Sequence, residues 1–237
     1  MQNLTTKTVR EIALEMPITT RVFEEFKIDY CCGGQKMFLE ACHTAGVNPE
    51  IIQKKITDIA ANAETKEFEW LKETTLNGLI GYILEKHHVF TKDEIHNLSP
   101  LMTKVANRHG KNHLELFELE RLFINLFQDL TDHLWKEENV LFPFITKLES
   151  GNTPLSCFGT VQNPIRMMLM EHDTAGDILR KMREISNDYA LPEGACPSYT
   201  ALFNRLEALE KDLHHHIHLE NNLLFPKAIE LEEKVFA

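Results

Sequence analysis

The sequence predicts an all-α protein: an up-down-up-down four-helix bundle preceded by a small helical domain. Three observations predict it. Apolar residues recur at helical spacing almost throughout, and β-branched alternation is scarce. Punctuation is sparse, with nine prolines and ten glycines in 237 residues. Four long periodic stretches, roughly 75–107, 112–148, 161–187 and 198–234, are joined by short links.

The first 62 residues form the small domain, with helices expected over 5–14, 19–27, 35–45 and 48–60. So short a segment buries little core by itself. A polar run with no apolar stripe, Ala61-Asn62-Ala63-Glu64-Thr65-Lys66-Glu67, marks a boundary, and the bundle is expected over 74–237. Its turns are signalled by Arg108-His109-Gly110, Ser150-Gly151-Asn152-Thr153-Pro154 and Leu191-Pro192-Glu193-Gly194. Pro143 and Pro226 fall inside the second and fourth helices, where each is expected to kink or end the helix. Trp70 and Trp135 are read as packing residues.

Composition removes several function classes. The net charge is -11, from 36 acidic against 25 basic residues, and such a surface repels nucleic acid and anionic membranes. No apolar run approaches the ~20 residues of a spanning helix, and the N-terminus lacks a secretory signal. Five cysteines, Cys31, Cys32, Cys42, Cys157 and Cys196, include no C-x-x-C pair and read as reduced thiols. The expected location is the cytoplasm. The unusual feature is 12 histidines, concentrated after residue 86.

The second and fourth long helices repeat one another. Asp129-Leu130-Thr131-Asp132-His133-Leu134-Trp135-Lys136-Glu137-Glu138-Asn139-Val140-Leu141-Phe142-Pro143 aligns with Asp212-Leu213-His214-His215-His216-Ile217-His218-Leu219-Glu220-Asn221-Asn222-Leu223-Leu224-Phe225-Pro226 at an offset of 83. The shared string is D-L-x-x-H-x-x-x-E-x-N-x-L-F-P. The first and third helices add His88 and His172 at nearly the same offset, 84. The bundle therefore reads as two similar hairpins, each carrying two histidines and one glutamate.

Residues i and i+4 lie about 6 Å apart along a helix and share a face. His133 and Glu137 therefore point together, as do His216 and Glu220. Both pairs sit among apolar neighbours at core spacing: Leu126, Leu130, Val140 and Phe144 for one, Leu209, Leu213 and Leu223 for the other. His172 is bracketed by Ile165, Met168, Leu169 and Leu179. A lone pair of this kind reads as an ordinary buried salt bridge. Two matched pairs with two matched histidines read as a metal site, because buried carboxylates need a compensating cation. Four imidazoles and two carboxylates divide evenly over two ions, with Glu137 and Glu220 bridging. Nitrogen and oxygen ligation without thiolate suits iron or manganese better than structural zinc, and iron is expected first.

These motifs resemble the hemerythrin-like di-iron proteins. With Asp29-Tyr30-Cys31-Cys32-Gly33-Gly34 and Glu171-His172-Asp173-x-Ala175-Gly176, the chain resembles along essentially its whole length the bacterial repair-of-iron-centres family. The resemblance implies a hemerythrin-like bundle with two non-haem irons, oxo- or hydroxo-bridged. It implies repair of iron-sulfur clusters damaged by nitric oxide or oxidants, with damaged iron-sulfur proteins as partners and a homodimeric state. Its ligands are His88, His133, His172 and His216, with Glu137 and Glu220 bridging, and it matches Cys31 and Cys32 to the family's double cysteine. Iron donation and nitric oxide removal both remain open. The alternatives are a di-iron nitric oxide reductase, or a hemerythrin-type sensor or carrier of oxygen or nitric oxide. A carrier has no evident use for Cys31 and Cys32.

The remaining polar residues are weighed as follows. His87 adjoins His88, but the repeat spacing favours His88. His214, His215 and His218 are read as solvated or as weak metal scavengers. Asp129 and Asp212, one turn before their histidines, are either acceptors from the distal imidazole N–H or solvated. Glu171 either lines an approach to the metals or lies on the surface. His109 ends the first helix, where its charge suits the dipole. Cys31 and Cys32 are the candidate reactive residues, a thiol site for iron, nitric oxide or electrons. The bland reading of that pair is a helix–turn junction.

Overall fold

The computed structural model describes residues 4–62, 70, 73–152 and 157–236. Among these residues there is no strand, only a single antiparallel bridge between Thr8 and Met37.

The N-terminal part contains α1 (Val9–Glu15), α2 (Thr20–Glu25), α3 (Phe38–Thr44) and α4 (Pro49–Asn62). Thr8 and Glu11 form a reciprocal capping box that starts α1. Val9, Ile12, Phe23, Phe38 and Ile52 close a separate small core. The polar boundary run lies mostly outside the described residues.

Four rods follow. The first is α5 (Leu76–Tyr82), a π-helical segment (Ile83–His88) and α6 (Val89–His109). The second is α7 (Glu115–Lys136), a π segment (Glu137–Leu141) and α8 (Phe142–Glu149). The third is α9 (Gln162–Ile185). The fourth is α10 (Pro197–Leu219), a π segment (Glu220–Leu224) and α11 (Phe225–Phe236). The rods pack first on second, second on third, third on fourth and fourth on first, and the C-terminal segments of the second and fourth also meet.

The expected kinks at Pro143 and Pro226 do not end their helices. A proline cannot donate to the carbonyl four residues back. In both rods the preceding residue reaches one further back, Phe142 to the Glu137 carbonyl and Phe225 to that of Glu220. The extra residue of the π turn absorbs the missing bond, and the helix continues. Trp135 is 60% exposed, so it is not a packing residue. Trp70 is also largely exposed, with its ring against Tyr82. Val140 and Leu169, expected at core positions, are exposed as well.

Two apolar clusters fill the bundle. One contains Leu98, Met102, Leu116, Leu179 and Phe203; the other contains Leu79, Ile83, Ile145, Ile165 and Phe225. Between them lies a buried polar layer: His87, His88, His133, Glu137, His172, His216 and Glu220.

Candidate metal centre

The polar layer brings all six sequence-predicted ligand residues together. Their donor atoms form two groups, His88, Glu137, His216 and Glu220, and His133, Glu137, His172 and Glu220, each with its atoms within 4.8 Å of one another. Glu137 and Glu220 belong to both groups. Each group takes one histidine from each hairpin, so neither hairpin supplies a whole group. His88 belongs to the cluster and His87 does not.

The local helix geometry explains the convergence. His133 Nε2 lies 3.3 Å from Glu137 Oε1, and His216 Nε2 lies 3.0 Å from Glu220 Oε1, each pair one helical turn apart. His88 Nε2 approaches Glu137 Oε2 at 3.5 Å, and His172 Nε2 approaches Glu220 Oε2 at 3.1 Å. Both glutamates have zero exposure.

Three imidazoles are held from behind at Nδ1. Glu138 Oε1 accepts from His88 at 2.8 Å, Glu171 Oε2 from His133 at 2.8 Å, and Asn221 Oδ1 from His172 at 2.7 Å. A proton fixed on Nδ1 leaves the Nε2 lone pair facing inward. His133 Nε2 and His172 Nε2 then face each other at 3.1 Å. With the carboxylate oxygens beside them, the centre is a cluster of acceptors. Glu137 Oε1 and Oε2, Glu220 Oε2 and His88 Nε2 are buried without a hydrogen-bond partner. Only a cation relieves this, a metal ion or a proton. In the absence of metal the proton serves. Burial opposes charge on His133, but Glu137, Glu171 and Glu220 outweigh it and push its imidazole up to about 10. Burial likewise opposes ionisation of Glu220, yet His216 and His172 hold it well below the usual carboxylate range. The donor set therefore fits a pair of metal ions, whose binding displaces protons.

Several sequence expectations are corrected here. Asp129 is exposed and takes no part. Asp212 Oδ1 holds His87 Nδ1 at 3.0 Å, not His216. His218 is buried and His214 and His215 are half-buried, so these three do not lie on a solvated face; His87 is buried as well. Burial and the adjacent histidines keep His215 down at about 3, the neutral form. His214 Nδ1 meets Glu24 at 2.8 Å, and the His218 ring lies edge-on to Tyr30. His109 ends α6 as expected, but its Nε2 also lies 3.2 Å from Cys196 Sγ.

Sequence reasoning missed Glu138 and Asn221. They are equivalent positions of the repeat, each following its central glutamate and each serving the histidine of a neighbouring rod. Both occupy the same x of the repeat string, where the two copies differ, so the string gave no sign of their role. The symmetry breaks once. Glu171, before His172, supports His133; its counterpart His87, before His88, stacks on His216 at 5.5 Å. His216 Nδ1 is left without a partner.

The double cysteine lies against this layer. Asp29 Oδ1 accepts from the backbone N–H of Cys31 and of Cys32, both at 3.1 Å. A side chain at Gly34 would stand 2.7 Å from the Tyr30 carbonyl, so only glycine fits the turn. The two sulfurs are 3.8 Å apart and not bonded. Cys32 Sγ lies 3.7 Å from the backbone carbonyl of His172. The Cys32 thiol, burial and Asp29 together push the Cys31 thiol well above its ordinary value. No helix among the described residues is long and apolar enough to cross a membrane.

The hemerythrin HHE cation binding domain matches residues 79–228, and a domain of unknown function, DUF542, matches residues 5–60. The probable iron-sulfur cluster repair protein of Haemophilus influenzae is 33% identical, over 92% of this chain and 95% of its own length. The iron-sulfur cluster repair protein ScdA of Staphylococcus haemolyticus is 32% identical over 92% and 96%. The iron-sulfur cluster repair protein YtfE of Dickeya chrysanthemi is 32% identical over 92% and 95%. The paired histidine–glutamate layer and these matches place the chain in the hemerythrin HHE cation-binding family, among its iron-sulfur cluster repair proteins.

Proposed function

We propose that this protein repairs iron-sulfur clusters damaged by nitrosative or oxidative stress, using two non-haem irons held by His88, His133, His172 and His216 and bridged by Glu137 and Glu220. The observation that carries the reading is the sharing of both glutamates between the two donor groups. Carboxylates shared in this way would offset the charge of two cations held by the neighbouring imidazoles. Iron bound there supplies redox chemistry and exchangeable positions for a small ligand such as nitric oxide or oxygen. The chain's own part is to fix the imidazole tautomers through Glu138, Glu171 and Asn221, and to exclude water with the apolar clusters on either side. Cys32, whose Sγ lies 3.7 Å from the His172 carbonyl, and Cys31 beside it would hand iron or nitric oxide between client and bundle. Residues 1–62 are then the client-facing domain and 74–237 the metal-holding one, in a cytoplasmic protein acting as a homodimer.

The test incubates iron-loaded protein, without oxygen, with a cluster enzyme damaged by nitric oxide. The expected result is recovery of the enzyme, absent for metal-free protein and for Glu137→Ala. Iron left in the bundle and nitrous oxide formed separate donation from nitric oxide turnover. No recovery by protein carrying two irons per chain would remove the repair reading.

A further inference from the structure

A cavity of about 940 Å³ lies where the N-terminal helices meet the bundle, with Thr20 and Glu24 on one wall and Tyr82, His87, Asp212 and His215 on the other. It reaches the metal layer at the point where the pseudo-symmetry breaks. His87 is 3% exposed, and its Nε2 is buried without a partner. Its Nδ1 is held by Asp212 Oδ1 at 3.0 Å, so the Nε2 lone pair is left free to ligate. The ring stacks on His216 on one side and meets His215 edge-on at 5.2 Å. The second carboxylate oxygen of Asp212 is also buried without a partner.

A carboxylate behind an imidazole whose other nitrogen is free is the arrangement that orients a metal-ligating histidine. Such a set costs stability when nothing uses it. Nor do these residues have a structural counterpart in the other hairpin, where Glu171 closes the equivalent position against His133.

We infer that His87 and His215, with Asp212 orienting His87 from behind, form a transfer site for a divalent cation, through which hydrated ferrous iron passes between the cavity and the His88–His216 position. This rests on the paired-metal reading above. The route needs only ligand exchange: an imidazole nitrogen replaces water on the incoming ion, and His216, one ring away, replaces it in turn. A site of few ligands holds the ion loosely, as a way-station must.

The experiment uses the full chain and cobalt(II), counted by equilibrium dialysis in wild type, His87→Ala and His215→Ala. The variants should bind one weak equivalent fewer than wild type. The difference reports the transfer site, and the tight equivalents left in the variants report the paired site, so the two readings fail separately. In parallel, iron-loaded proteins are mixed without oxygen with a ferrous chelator. Release should slow by roughly tenfold in both variants, the scale on which supporting groups act at metal sites. Equal cobalt counts, or unchanged release, would overturn the proposal. Loss of the tight equivalents in His87→Ala, with all of them kept in His215→Ala and release unchanged there, would make His87 a support of His216 and also overturn it.

Discussion

Glu138, Glu171 and Asn221 never touch the centre of the cluster, yet they decide which nitrogen of each histidine faces inward. Removing one frees the ring to turn or to change tautomer. Glu138→Ala and Glu171→Ala should each weaken metal affinity by about 10–100-fold, read by competition with a chelator. Glu137→Ala or Glu220→Ala should do more, because each residue belongs to both donor groups. Neither variant should retain two metals through desalting, and the two losses should be alike. At this scale the sequence was legible where helical spacing alone decides. His133–Glu137 and His216–Glu220 are neighbours on one rod, and their pairing follows from a four-residue step. The hydrogen-bond partners were not legible because they reach across rods. Asp129 and Asp212 sit on the same rods as their histidines, yet the partners come from elsewhere: Glu138 for the first rod, Glu171 for the second and Asn221 for the third.

The rods themselves show how the repeat is built into the helices. In each hairpin, a glutamate near the end of the second rod closes the start of the first. Glu149 accepts from the backbone N–H of Leu76 and Asn77 at 2.7 and 2.8 Å, and Glu232 accepts from that of Val161 at 2.8 Å. These two glutamates keep the offset of 83, so the duplication extends beyond the metal-binding string. Orphan N–H groups at a helix start are satisfied in this way, and a charged acceptor also suits the dipole. Glu149→Ala and Glu232→Ala should each cost about 1–2 kcal/mol in urea unfolding, with metal content unchanged. Glu232 is buried and should sit at the upper end. Helix positions were readable from apolar periodicity, and the π turns were not. Pro143 and Pro226 announced a defect in the ladder, but periodicity does not say whether the chain stops, bends or inserts a residue.

The N-terminal helices lie over the bundle through a polar seam. Arg10 Nη2 donates to the Asn222 carbonyl at 3.3 Å, Asn222 Nδ2 donates to that of Tyr30 at 3.3 Å, and Lys27 pairs with Asp188. Asp188 stands in a run of left-handed residues, Asn187, Asp188 and Tyr189, with φ of 50°, 61° and 54°. Lys27, and after it Arg183, hold Asp188 below its usual value of 3.8. A lowered folded-state value means that the contribution is present above 3.8 and fades as pH falls below it. Asp188→Asn should therefore loosen the N-terminal helices at neutral pH, by less than about 1 kcal/mol for so exposed a pair, and lose its effect in acid. Amide exchange in α1–α4 would read it. A chain beginning at Glu73 contains every proposed ligand, so it should still bind two metals and should lose repair; full repair without Cys31 and Cys32 would remove their role. The seam lay beyond sequence reasoning because Glu24 and His214, and Tyr30 and Asn222, carry no mark of each other across some 190 residues. The interleaving of the two hairpins also sets a timetable for synthesis. Chains lengthen by about 5–20 residues per second, and both donor groups need His172 or His216 together with Glu220. A polypeptide that stops before Glu220 thus has neither donor group complete. Metal loading at either position therefore waits until translation has passed Glu220, well after the first hairpin has emerged.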